Sequence, residues 1–373
     1  MRIKLQGEEF EVHEEKSIME TFPVPADAIA ARYNNEIASL KQILYKDGEI
    51  SFITREDRDG RIIYIRGLLY ILSKALMECY PEAKPTINYQ LSNSMFCTID
   101  NMEITDELIQ TVKTRMQEII DKNLDIVKVI MTKEEAEEFY EKEKTLRGIL
   151  QTDIDKEKIS LYYCENYYNY FYGTMPISTG FAKLYDLERY RDGFLLKYPS
   201  YTEPNKLQST QNSLKLKSAL DEYNIINKNL GLTTVHNLNK KIKEGKEKEL
   251  ILFSEALHEK KIAEIANKVK EKGNVRMILI AGPSSSGKTT FAGKLGMALR
   301  VNGIKPITIS VDNYFVERPN TPKDEFGNYD FECIEAIDTE LLNKQLLSLL
   351  SGKKLNFQHL ILQMEQRNIW EIN

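Results

Sequence analysis

Eight consecutive residues carry the clearest chemistry in this chain: Gly282, Pro283, Ser284, Ser285, Ser286, Gly287, Lys288 and Thr289 complete the pattern G-x-x-x-x-G-K-[ST]. Gly282 and Gly287 permit backbone angles and close approach that a side chain forbids, so successive N–H groups can turn toward phosphate oxygens. The Lys288 ammonium is expected on the β- and γ-phosphates. The Thr289 hydroxyl is a hard oxygen donor of the kind Mg2+ prefers, and Thr290 carries the loop into a helix whose dipole adds to the anion-attracting field. The chemistry is the holding of a nucleoside triphosphate with magnesium.

Elements on both sides must position that loop. The apolar run at 277–281 predicts a buried parallel strand, and Phe291, Leu295, Ala298 and Leu299 fall on one face of a helix that ends at Gly303. A second strand is expected at 307–311, with Asp312 at its carboxyl end, where chemistry gathers in open α/β sheets. Asp312 is then the natural base for an acceptor hydroxyl, or else a turn cap. Tyr314 is placed to stack on a base or sugar, or to pack.

The run 281–338, with GPSSSGKTTFA, ISVDNYFVERPNTPKDEFGNYDFE and EAID, resembles the uridine kinase and phosphoribulokinase group, above all its bacterial members with synthetase-like domains at the amino end. The resemblance implies ATP-dependent phosphoryl transfer to a nucleoside hydroxyl, with Lys288 on the phosphates and Asp312 as catalytic base. Glu332 would bind the acceptor sugar, with Asp330 as the competing position, and Thr321-Pro322 and Gly327 would turn a loop over the acceptor. The family continues with a magnesium-side acidic strand and an Arg-rich lid, neither of which follows here. Residues 275–373 thus read as the first half of a phosphate-loop parallel-sheet domain, with catalysis impaired. Residues 355–373 depart from the resemblance, and a shifted reading frame restores the family's aromatic-Asn-aromatic-x-x-Gly element there. An out-of-frame tail is expected, in which His359 and Trp370 have no function.

Ahead of the loop, residues 1–60 alternate as strands (Ile3, Leu5, then Phe10, Val12) around a turn at Gly7, and resemble the small β-grasp module at the front of threonyl-tRNA synthetases. Residues 61–205 resemble the second domain of the same enzymes, where zinc ligands form an editing site. Gly67, Ile71, Phe171 and Met175 stand at the four ligand positions, and none offers a suitable donor. No zinc site is expected. Tyr162, Tyr163, Tyr167, Tyr168, Tyr170, Phe171 and Tyr172 form either a base-stacking surface or, preferred, an aromatic face packed on a core. Thr132 and Glu135 form a capping box after an apolar strand at 126–131, as in an α+β domain.

Residues 206–274 read as a helical connector: a break at Gly231, a charged stretch at 237–249, and a helix from about Ser254, with Ile262, Ile265, Ala266 and Val269 on one face, ending at Gly273. The fold class expected is multidomain, α+β followed by α/β. Of the 373 residues 42% are hydrophobic and 29% charged, and the net charge of −5 argues against a nucleic-acid footprint over the whole molecule. It leaves tRNA or RNA contact by the amino-terminal domains open. No apolar run approaches a membrane span, the start has no signal-peptide core, and the four cysteines are scattered, so a cytoplasmic protein with reduced thiols is expected. Three functions compete: a nucleoside kinase, a non-catalytic ATP-binding regulatory protein, and a tRNA-binding or editing-related protein. The acceptor's identity and the oligomeric state are not specified.

Overall fold

The computed structural model describes residues 1–142, 157–210, 213–353, 356–360 and 367–371. They divide into two compact units, Met1–Glu244 and Gly245–Asn373.

The first unit opens with β1 (Arg2–Leu5) and β2 (Glu8–Glu11), joined at Gly7, whose φ of 91° suits glycine alone. Helix α1 (Ile18–Thr21) starts at a capping box between Ser17 and Glu20, and β3 (Ala28–Tyr33), β4 (Glu36–Ala38) and β5 (Gly48–Thr54) follow. The five strands order as β2-β1-β5-β3-β4, with β1 and β5 parallel in the register Ile3 to Gly48 and the other pairs antiparallel. Ile3, Ile18, Leu44 and Ile50 are fully buried beneath the sheet's inner face. The two strands expected on either side of the Gly7 turn are β1 and β2.

Helix α2 (Arg58–Cys79) leads into β6 (Pro85–Leu91), β7 (Ser94–Ile99), α3 (Asp106–Asp121), β8 (Val127–Thr132), α4 (Lys133–Lys142), β9 (Lys158–Cys164), β10 (Tyr167–Asn169), β11 (Asp186–Tyr190) and β12 (Gly193–Lys197). Two antiparallel sheets result, β11-β12-β7-β6 and β10-β9-β8. Helix α2 is apolar on more than one side because it serves both. Ile63, Leu68, Ile71 and Leu72 join α3, β7 and β12 in one core that also takes Ile29, Ala30 and Ile53 from the β-grasp sheet, while Tyr70 packs with Tyr162, Cys164 and Tyr167 under the other sheet. At the start of α4, Thr132 N donates to Glu135 Oε2 (2.8 Å) and Glu135 N to Thr132 Oγ1 (3.2 Å), the capping box read from the sequence.

The stretch 206–274 is divided between the units. Helix α5 (Leu214–Asn229) packs on the four-stranded sheet of the first unit, where Tyr89 donates to Asp221 (2.5 Å) and Lys217 bridges Asp221 (2.6 Å) and Asp192 (2.8 Å). Helix α6 (Val235–Lys243) closes that unit. In the second unit α7 (Glu247–Lys272), stopped by Gly273 at a φ of 65°, packs Ile262 and Ala266 against Leu295 and Leu299 of α8 (Lys288–Val301); α9 (Thr339–Leu350) follows.

The parallel-sheet expectation fails here: among the described residues of 275–353, neither 277–281 nor 307–311 forms a strand. A strand exists only through a ladder partner, and neither run pairs with the other or with another described segment. Leu279 accordingly stays 84% exposed, and Ile307 and Val311 are exposed as well. What the structure shows is a mixed α+β chain. The tail expected to be out of frame, 355–373, lies partly outside the described residues; within it β13 (Asn356–Leu360) and β14 (Arg367–Glu371) pair antiparallel.

Candidate functional site: a phosphate loop and an interdomain cleft

The loop at 282–289 takes the shape its sequence requires even without strands beside it. Ser285 and Gly287 have φ of 59° and 81°, and Gly287 caps α8, so the first turn of the helix opens directly from the loop. A Cβ on Gly282 would lie 2.8 Å from Ser286 Oγ, too close to be accommodated without a shift. Lys288 folds back, its Nζ donating to the carbonyls of Gly282 and Pro283, both at 2.9 Å. That ammonium has no carboxylate partner among the described residues, and Ser284, Ser285, Ser286, Thr289 and Thr290 are exposed around it. These donors fit a polyphosphate and a hard cation, with Thr289 as the hydroxyl that would hold magnesium.

The remaining loop-side candidates follow α8 in the chain. Asp312 sits exposed in a single 3-10 turn, Val311–Tyr314, rather than at a strand end. Tyr314 is 3% exposed and donates its hydroxyl to Gln345 Oε1 (2.6 Å), so its ring packs and is not presented for stacking. Asp330 accepts from the Glu332 N–H (2.9 Å) and shapes its own turn, leaving Glu332 exposed. Among the described residues no hydrogen bond or ion pair joins Asp312, Asp330 or Glu332 to Lys288.

In the first unit the four expected zinc positions are built into packing. Ile71 and Met175 are buried in the cores around α2, and Phe171 meets Tyr70 edge to face at 5.6 Å. Gly67 leaves no room for any side chain, since a Cβ there would come within 2.7 Å of Pro176 Cγ and closer still to the Phe181 ring. Among the described residues no three His, Cys, Asp or Glu side chains gather into a metal-binding group. The aromatic cluster is mostly structural: Tyr162 and Tyr167 are buried, Tyr163 and Tyr168 stack at 4.3 Å, and Tyr172 stands 79% exposed. Arg66, next to Gly67, donates to the Thr174 carbonyl, and burial pulls its pKa down.

Beside these residues lies a cleft of about 440 Å³ between the β-grasp module and the second domain. Its walls are the 26–29 segment and Arg55 on one side, and Asn123 with the 176–183 segment on the other. Asn123, in a left-handed conformation (φ 47°), accepts from Ser178 Oγ (2.7 Å) and Gly180 N (3.0 Å), which fixes the 176–183 turn. Ile177 from that turn packs into the β-grasp core, holding the two walls in register. Sequence reading did not find this cleft, because Asp27, Arg55 and Lys183 carry no shared motif; only the pairing of two domains brings them together.

No family model matches the chain. It is similar to the threonine–tRNA ligase of Fusobacterium nucleatum subsp. nucleatum (24% identical over 164 residues, 43% of this chain and 26% of that protein). It is also similar to the threonine–tRNA ligases of Methylobacillus flagellatus (25% over 163 residues, 43% and 26%) and Rubrobacter xylanophilus (26% over 155 residues, 41% and 24%). The chain spans about a quarter of the length of these curated relatives. The expectation of a uridine kinase-like nucleoside kinase is overturned: the similarity runs to tRNA ligases, and the sheet that would carry the kinase chemistry does not form among the described residues. The kinase, transferase and phosphoribulokinase assignments fall with it, as does a nucleoside substrate. Among the described residues no helix is long and apolar enough to cross a membrane. The similarity supports a threonyl-tRNA synthetase-like module in the chain.

Proposed function

We propose that this chain is a synthetase-related, tRNA-contacting protein that also holds a nucleoside triphosphate with magnesium at its phosphate loop. The single observation that carries the first half is the similarity to threonine–tRNA ligases over 164 residues. The β-grasp module and the α+β domain are where we place that similarity, because the sequence resemblance to the synthetases falls on 1–205. Zinc-dependent editing is not part of the reading, since apolar side chains and a glycine stand at the four ligand positions.

For the second half, Lys288 and the N–H groups of 282–289 bind phosphate oxygens, and Thr289 and the phosphates hold the magnesium ion, which when bound neutralises phosphate charge. Lys288 must leave the Gly282 and Pro283 carbonyls to reach a phosphate, so occupancy reorders the loop. ATP is the expected nucleotide. Asp312, Asp330, Glu332 and Tyr314 carry no role in this reading.

The test is direct binding by the full chain. A tRNA transcript should bind more tightly than a DNA duplex of equal length, and calorimetry with Mg-ATP should give a saturable signal that Lys288→Ala removes. Equal affinity for tRNA and duplex DNA would end the tRNA reading; an unchanged ATP isotherm in Lys288→Ala would end the loop assignment.

A further inference from the structure

We propose that the cleft between the five-stranded sheet and the 176–183 turn seats one single-stranded ribonucleotide, with its phosphate between Arg55 and Lys183 and its base against Phe181. The inference rests on the tRNA-contact reading and names where and how the RNA is held.

The first argument is charge. Arg55 and Lys183 both line the cleft with one carboxylate, Asp27, and neither forms an ion pair among the described residues, which leaves a net positive lining. The Lys183 side chain makes no hydrogen bond or ion pair among the described residues. Arg55 has a long hydrogen bond to Asn205 (3.5 Å) and meets Tyr64 through a side-chain hydrogen bond and the ring face at 5.8 Å, so it has neutral partners and no carboxylate. Two cations facing one cleft favour an anion, and a guanidinium presents the fork geometry that suits phosphate.

The second argument is shape and polarity. The cleft of about 440 Å³ falls in the range of small-ligand sites, and its apolar floor is the half-buried ring of Phe181, with Pro176 and Ile29 buried. A free phosphate would leave that floor bare, whereas a nucleotide has a flat body to cover it and a phosphate for the cations. The floor is also held in place: Phe181 meets Tyr64 edge to face at 5.2 Å, and the absent side chain of Gly67 is what lets Phe181 and Pro176 sit where they do. The 176–183 wall is fixed through Asn123, so little ordering remains to be done on binding.

The third argument selects RNA. Asp27 lines the same cleft with its carboxylate free of hydrogen bonds and ion pairs among the described residues. An ionised carboxylate accepts only, and a ribose 2′-hydroxyl is the donor that distinguishes RNA from DNA.

Fluorescence anisotropy with the full chain tests this, using a short single-stranded RNA oligonucleotide, its DNA counterpart and a tRNA transcript. In Arg55→Gln/Lys183→Gln the RNA oligonucleotide should bind at least ~10-fold more weakly, and the slope of log K against log salt should fall by about 0.7, as the loss of one neutralised phosphate on a single strand requires. Asp27→Asn should narrow the preference for RNA over DNA and leave the salt slope unchanged. Both variants alter polar cleft residues, and a circular dichroism melt matching the parent confirms the fold. If the double variant binds the RNA oligonucleotide like the parent while tRNA still binds, the cleft assignment is overturned and the tRNA reading stands. If the parent binds the oligonucleotide through Arg55 and Lys183 but not tRNA, the tRNA reading is overturned and the cleft assignment is supported. Equal parental affinity for RNA and DNA overturns the role of Asp27.

Discussion

Gly67 shows how one missing side chain organises a site. A Cβ there would meet the Pro176 ring at 2.7 Å and the Phe181 ring closer still, and neither ring can swing away as a flexible chain end would. Gly67→Ala should therefore cost about 1–3 kcal/mol in a denaturant titration, as overpacking does. Gly293→Ala, inside α8 with nothing within 4 Å of the new methyl, should be neutral or gain about 0.5–1 kcal/mol. Cys97 gives a second residue-scale test. Burial pushes its thiol up to about 12 from an ordinary value of 9.0, so the folded chain holds that proton more tightly than the unfolded chain. With the folded pKa raised, the stability contribution is full below about pH 9 and is lost as pH rises toward 12. Cys97→Ala should lose less stability than the parent between those limits, and Cys97 should resist thiol reagents until the chain unfolds. At this scale the sequence was legible where a residue acts alone or with near neighbours: the turn at Gly7, the Thr132–Glu135 box and the loss of donors at Gly67 and Ile71 are all local. Tyr314 was not, because its partner Gln345 lies 31 residues away and no local pattern announces that hydrogen bond.

Among the elements, α5 separates a connector from a packed helix. It lies in the stretch read as a helical connector, yet Lys217 is nearly buried, with its ammonium 4.5 Å from the Phe96 ring and shared between Asp221 and Asp192. Desolvation works against the charged form, but the two carboxylates outweigh it and raise the Lys217 pKa. Asp221→Ala removes one of those carboxylates and the acceptor of the Tyr89 hydroxyl together, so it should destabilise the first unit by about 1–3 kcal/mol and open α5 to limited proteolysis. Lys228→Ala, which breaks only the exposed pair with Asp100, should change stability by no more than about 1 kcal/mol. No change in protease sensitivity on Asp221→Ala would mean that the helix is held by packing alone. Helix α8 and the Gly273 stop of α7 could be read from apolar spacing and a glycine, since both are properties of one segment. The runs at 277–281 and 307–311 could not, because an apolar run specifies a strand only when a second segment supplies the ladder.

For the whole molecule, the division at Glu244 and Gly245 makes stability a property of two units rather than one. Among the described residues the first unit buries five apolar clusters, whereas the second keeps Met277, Ile278, Leu279 and Ile280 exposed and concentrates its buried apolar side chains between α7 and α8. The second unit should therefore melt first, in a separate transition. Because the phosphate loop lies in that unit, Mg-ATP should raise the lower transition alone, by about 2.7 kcal/mol at a concentration 100 times its dissociation constant. Differential scanning calorimetry of the full chain with and without Mg-ATP reads both points, and Lys288→Ala should abolish the shift while leaving the upper transition in place. A single cooperative transition that Mg-ATP moves as a whole would show that the units fold as one, and would make the loop's occupancy a matter for the RNA-binding cleft as well.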